Sequence, residues 1–313
     1  MPDLTNRLIL VTGSAKRIGR AIALRLAREG ARVLIHYHGS ESEAQQTAQD
    51  ANATGLYRAN LESVPEIRGM FAQIAEQHGR LDALVNNAAR FTRFDPLDIT
   101  EADWDFIHNV NLKSVFFTCQ AAARLMLAAP TPAASHGRIV NLSSLGGLRP
   151  WAEHAHYCAS KAGVIMLTRA LAKAWAPRIT VNSVAPGVIP FDDIDERGLQ
   201  MVRNTPAQRG GTPDEIADAV IFFLTASNFI TGQVLAVEED AAGPGRQRAR
   251  DHPQGGRLAR GVGPDQCHQL ARAHLQAHPV ERLEVAVEGV HALKRQQART
   301  PRRDRRRPRG GRG

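Results

Sequence analysis

Over the first 237 residues, short β-branched runs alternate with stretches whose apolar positions recur every three or four residues. Leu8–Val11, Arg32–His36, Gly55–Arg58, Leu81–Val85, Arg138–Leu142, Thr180–Val184 and Gln233–Val237 read as strands. Ile18–Glu29, a stretch from about Ser42, Val64–His78, Ala102–Leu127, His154–Trp175 and Pro213–Thr225 read as helices. Punctuation supports these bounds: Gly30 and Gly79 close two helices, Pro177 stops a third, and Thr212-Pro213 opens the last with Glu215 just inside. Strand–helix alternation of this kind predicts an α/β fold, a single-domain doubly wound parallel sheet with helices on both faces. Ligands on such sheets bind beyond the carboxyl ends of the strands, where the winding reverses.

After Val237 the strand periodicity stops and Arg, Gly, Gln, Pro and His dominate. The net charge of +9 belongs to this region: 17 basic and 9 acidic residues follow Val237, leaving 23 against 22 before it. The organisation expected is a domain over 1–237 and a disordered, low-complexity, basic tail over 238–313. The abrupt shift suggests a reading-frame change near residue 238. A basic arm that binds nucleic acid electrostatically, or a solvated tail without function, are the other readings. No run of about 18 apolar residues is present, and no basic segment leads into an apolar one at the start, so the expectation is a cytoplasmic protein without a membrane partner. Cys119, Cys158 and Cys267 form no close pair and have no His cluster beside them, which argues against a disulfide framework or a metal site.

Candidate chemistry begins at the first strand–helix junction, Val11-Thr12-Gly13-Ser14-Ala15-Lys16-Arg17-Ile18-Gly19. Gly13 permits a tight turn, Gly19 a close approach of helix to sheet. The helix end offers unpaired N–H groups and partial positive charge to a pyrophosphate. At the end of the second strand a carboxylate would bind the ribose of NAD and repel a 2′-phosphate. Here the chain reads His36-Tyr37-His38-Gly39-Ser40, with no acid before Glu41. With Lys16 and Arg17 facing it, the segment points to NADP(H), held chiefly by Arg17, His38 and Ser40.

Tyr157 and Lys161 lie four apart on one helix and share a face. An ammonium beside a phenol lowers its pKa, so the pair fits proton exchange with a carbonyl or alcohol while hydride moves. Ser144, at the end of the fifth strand, is placed to hold the substrate oxygen. Asn111, inside the preceding long helix, is expected to bind water and link Lys161 to solvent.

In order along the chain, the glycine loop, Asn86-Asn87-Ala88-Ala89, Asn111, Ser144, Tyr157 with Lys161, and Pro186-Gly187 resemble the short-chain dehydrogenase/reductase family over residues 5 to about 237. The resemblance implies a Rossmann fold with Asn111, Ser144, Tyr157 and Lys161 as catalytic tetrad. It implies cofactor contacts from Gly13, Lys16, Arg17, Ile18, Gly19, His36, His38 and Ser40. Asn60 and Leu61 would lie near the adenine, Asn87, Ala88 and Ala89 along the cofactor, and Pro186, Gly187 and Val188 beside the nicotinamide. Members usually form homodimers or homotetramers through two long helices, here about 102–127 and 154–175. The Lys-Arg-hydrophobic-Gly loop, the His-Tyr-His-x-Ser segment and Phe91 are similar to pteridine reductases, in which that Phe stacks the pterin. Ser144 stands where protozoan pteridine reductases carry an aspartate, which favours ordinary carbonyl reduction. The expected activity is NADPH-dependent hydride transfer to a dihydropterin-like, dihydrofolate-like or small carbonyl substrate. The alternatives are a 3-oxoacyl-thioester reductase-like enzyme and a non-catalytic NADP-binding regulatory or scaffold protein.

Overall fold

Seven parallel strands form one sheet in the order β3-β2-β1-β4-β5-β6-β7. They are β1 Leu8–Val11, β2 Arg32–Tyr37, β3 Gly55–Arg58, β4 Ala83–Asn86, β5 Gly137–Leu142, β6 Ile179–Pro186 and β7 Val234–Val237. The helices are α1 Arg17–Arg28, α2 Glu41–Asp50, α3 Val64–His78, α4 Glu101–His108, α5 Ser114–Ala128, α6 Ala155–Trp175, α7 Glu196–Arg203 and α8 Pro213–Thr225. This computed structural model describes residues 4–128, 137–192, 194–203, 205 and 207–237, and the expectations for 238–313 lie outside the described residues. Among the described residues, no helix is long and apolar enough to cross a membrane.

Strand periodicity sorts the core into two halves. In β1, Leu8 and Leu10 join the cluster built with α3, α5 and α6, whereas Ile9 and Val11 join the one built with α1, α2 and α8. All four residues are fully buried, each stabilising the fold by roughly 1.5–3 kcal/mol through burial. Such continuous apolar strands are what a sheet covered on both faces requires.

From β1 the chain winds outward to β2 and β3, then returns to β4 on the opposite side of β1. That reversal opens a crevice at the strand tips. Two elements differ from expectation. The continuous helix over 102–127 is interrupted by a π turn, Asn109–Lys113, centred on the fully buried Asn111. Wide turns of this kind displace the helix backbone locally and often mark functional sites. The second is α7, which no periodic pattern foretold. Its apolar Leu199 and Met201 stay exposed rather than reaching the core.

Candidate active site

A cleft of about 1230 Å³ runs across the carboxyl ends of the strands. Apart from Asn111, which is buried behind its wall, every residue expected at the site lines this cleft. Gly13 turns at φ 61°, a conformation glycine adopts without cost. A Cβ on Gly19 would stand 2.2 Å from the Gly13 oxygen and 2.5 Å from Asn87 Nδ2, so α1 can press onto the loop only with glycine there. Asn87 braces the same loop, donating from Nδ2 to the oxygens of Thr12 (2.9 Å) and Gly13 (3.0 Å). Thr12, which sequence reasoning passed over, accepts at Oγ1 from the amides of Asn87 and Ala88. The side chains of Ser63, Thr100 and Thr212 cap α3, α4 and α8, but Lys16 and Ser40 give no such cap to α1 and α2. These two helix ends border the cleft and keep backbone N–H groups for an anion.

His36 serves another purpose than the phosphate contact expected of it. It is buried, Nδ1 accepts from the Gly13 amide at 3.0 Å, and Nε2 lies 3.1 Å from the Ala59 oxygen. With both nitrogens engaged, the ring ties the glycine loop to the end of β3 and has no donor left for phosphate. Burial pushes its pKa down to about 4, so the ring is neutral. His38 is exposed at the cleft edge. Arg17 adopts φ 55° and lays its guanidinium 5.0 Å from the Phe191 ring centroid. Among the described residues, the carboxylates that line the cleft are Glu153 and Asp195, and Arg93 lies 3.9 Å and 3.3 Å from them. A bound NADP(H) would fit this arrangement: helix amides for the pyrophosphate, and Lys16, Arg17, His38 and Ser40 lining the cleft where the 2′-phosphate would lie.

Around the reacting position, the Ser144 and Tyr157 side chains stand together in the cleft. Ser144 Oγ accepts from the Gly146 amide at 3.1 Å. Lys161 is buried behind the tyrosine, Nζ donating to the Leu142 oxygen at 2.9 Å and lying 5.9 Å from the phenol ring centroid. Burial pushes Tyr157 up to about 12, opposed by the Ser144 hydrogen bond, and pushes Lys161 down to about 8. Asn111 holds the neighbouring backbone. Its amide accepts from Arg90 N (2.7 Å), donates to Arg90 O (2.9 Å) and reaches Ser160 Oγ (3.3 Å), while Ser160 Oγ donates to the Tyr157 carbonyl. The π turn thus clamps the peptide that precedes Phe91 and touches the start of α6, which carries Tyr157 and Lys161.

Beneath the site, Asn86 Nδ2 donates to Asn141 Oδ1 and Asn141 Nδ2 donates to Thr168 Oγ1, joining the tips of β4 and β5 to α6. Every member of this network is buried, and satisfied buried networks of this kind rigidify their surroundings.

The substrate end is aromatic. Phe91 stacks on His154 at 4.6 Å and 20°, meets Tyr157 edge to face at 4.8 Å, and remains 59% exposed to the cleft. The Trp151 ring lies parallel to Tyr157 at 6.1 Å. Neither Trp151, His154 nor Phe191 was singled out by motif. The first two stand three to six residues ahead of Tyr157 in a short turn, a position whose exposure the sequence does not reveal.

Comparison with known proteins agrees with this geometry. Residues 13–239 match the family described as Enoyl-(Acyl carrier protein) reductase. The 3-oxoacyl-[acyl-carrier-protein] reductase FabG of Staphylococcus aureus is 40% identical over 239 residues, covering 73% of this chain and 95% of that protein. The (2S)-[(R)-hydroxy(phenyl)methyl]succinyl-CoA dehydrogenase subunit BbsD of Thauera aromatica is 38% identical, covering 75% and 96%. A crystal structure described as a short-chain dehydrogenase/reductase from Burkholderia xenovorans superposes with a TM-score of 0.68 at 32% identity, covering 75% of this chain and 97% of that one.

Proposed function

This chain belongs to the short-chain dehydrogenase/reductase family, and from that premise we propose that it is an NADPH-dependent reductase of 3-oxoacyl thioesters. The observation that carries the reading is the meeting of Ser144 and Tyr157 in the cleft with Lys161 buried behind them. Both named relatives act on thioesters by their descriptions, and this moves the reading from pterin reduction to the acyl alternative.

When bound, NADPH supplies the hydride. Tyr157 and Ser144 hold the ketone oxygen by hydrogen bonds, and Tyr157, protonated well above neutral pH, gives its proton to that oxygen as charge develops there. Lys161 stabilises the phenolate left behind by its positive charge. Asn111 positions Arg90 and Phe91 along the opposite wall. We also assign the cofactor as NADPH rather than NADH, and the protein as a homo-oligomer. Phe116 on α5 and Met166 on α6, both exposed, suit pairing through these helices.

The test is consumption of NADPH by the purified chain with acetoacetyl-CoA as substrate. Turnover that depends on Tyr157 supports the reading. Dihydropterin reduction is the second reading, favoured by the exposed Phe91 ring beside Tyr157. Consumption with dihydrobiopterin but with no 3-oxoacyl thioester would select it.

A further inference from the structure

We propose that the preferred substrate is an aryl ketone thioester, one whose reacting carbonyl carries an aromatic ring, and that Phe91 and Trp151 select it. This rests on the acyl-thioester reading above.

The carbonyl oxygen is fixed by Tyr157 and Ser144, so the group attached to the carbonyl carbon lies against whatever surrounds the Tyr157 ring. Three rings do: Phe91 at 4.8 Å, Trp151 at 6.1 Å and His154 at 6.4 Å. Phe91 is backed by His154 on stacking geometry, which holds it in place, yet it stays more than half exposed to the cleft. His154 is itself pinned, its Nδ1 donating to the Thr92 oxygen at 2.9 Å. The result is a pre-positioned aromatic surface at the point where the acyl substituent must sit. Aromatic pairs add binding beyond the area they bury, an advantage a saturated chain does not gain.

The same wall is poorly suited to the amino-pyrimidine edge of a pterin. Such an edge calls for a carboxylate, and the two that line the cleft among the described residues both face Arg93. In the reaction the ketone carbon gains the hydride from NADPH, its oxygen gains the Tyr157 proton, and a secondary benzylic alcohol and NADP⁺ result.

The experiment compares kcat/KM of the full chain with NADPH for 3-oxo-3-phenylpropanoyl-CoA and for acetoacetyl-CoA. The aryl thioester is expected to be favoured by about tenfold. In Trp151→Leu and Phe91→Leu the ratio between the two substrates falls towards one, while Trp151→Phe largely keeps it. Because both substrates are read on the same variant, a loss of folded protein cancels from the ratio. A wild-type ratio of one or below, or a ratio that neither leucine variant changes, overturns the inference and leaves thioester reduction standing. Failure to reduce either thioester removes both proposals.

Discussion

At the reacting centre, burial decides the protonation states. Tyr157 at about 12 is a phenol throughout the neutral range, the form a reductase needs as donor, while Lys161 at about 8 is still mostly charged at neutral pH and loses that charge just above it. Tyr157→Phe removes the donor and should lower kcat by about 10²–10⁴-fold. NADPH affinity, followed by fluorescence titration, should change little. Near-normal turnover in that variant contradicts the role. The lysine sets the pH profile: its ammonium is present below pH 8 and lost above, so the reductive kcat should fall as pH rises through about 8. A rate flat to pH 10 would show that the charge is not used. His36 controls stability at the other end of the scale. Its pKa is about 4 in the folded chain and ordinarily near 6.5, so the unfolded chain binds the extra proton first. Its stabilising contribution is complete above pH 6.5 and is lost as pH falls towards 4, by up to about 3 kcal/mol. In His36→Gln, urea midpoints measured from pH 7 to 4 should lose this part of their slope. An unchanged slope would mean that other groups titrate instead.

Among the elements, what the sequence made legible were those with a repeating apolar stripe or a capping signal. The strands β1 and β3, and the helices α3 and α8, fall where the pattern placed them. For α8 the Thr212–Glu215 capping box marks its start. The π turn was hidden because its residues, Asn-Val-Asn-Leu-Lys, continue a helical stripe without a Pro or Gly to flag the break. Helix α7 was hidden for another reason: it is short, and its apolar Leu199 and Met201 stay exposed instead of joining the core. Tyr157 and Lys161 could be paired by their spacing, but the clamp of Asn111 on Arg90 joins residues 21 apart through a loop, and no local pattern encodes it. That clamp supplies the prediction at this scale. Asn111→Leu leaves the Arg90 N–H and C=O without their partners, costing about 2–4 kcal/mol of stability, and frees the wall that carries Phe91. Urea unfolding should register the loss, and KM for the thioester should rise more than KM for NADPH. Asn111→Asp, which can still accept from the Arg90 amide but cannot donate to its oxygen, should fall between. Equal stability of all three proteins would show that the clamp is incidental.

Across the whole molecule, charge is distributed by the winding of the sheet and not by composition. Before residue 238 the chain is almost neutral, yet α1 and the end of β2 bring Lys16, Arg17 and His38 to one end of the cleft, while Glu153 and Asp195 stand at the other. The sequence named the basic residues, but only the reversal between β1 and β4 explains why both groups border a single cleft. A dinucleotide spanning that cleft would meet these basic groups at its adenosine end, and a 2′-phosphate would add charge beside them. Charge-assisted hydrogen bonds of this kind contribute about 1.5–3 kcal/mol each, so kcat/KM should favour NADPH over NADH by at least about tenfold. Arg17→Ala should narrow that preference by raising KM for NADPH alone. Salt separates charge from shape: going from about 20 mM to about 500 mM shortens the screening length several-fold. KM for NADPH should then climb several-fold while KM for NADH stays nearly constant. If both cofactors respond alike, or if NADH is used as well as NADPH at low salt, the basic end of the cleft does not read the 2′-phosphate.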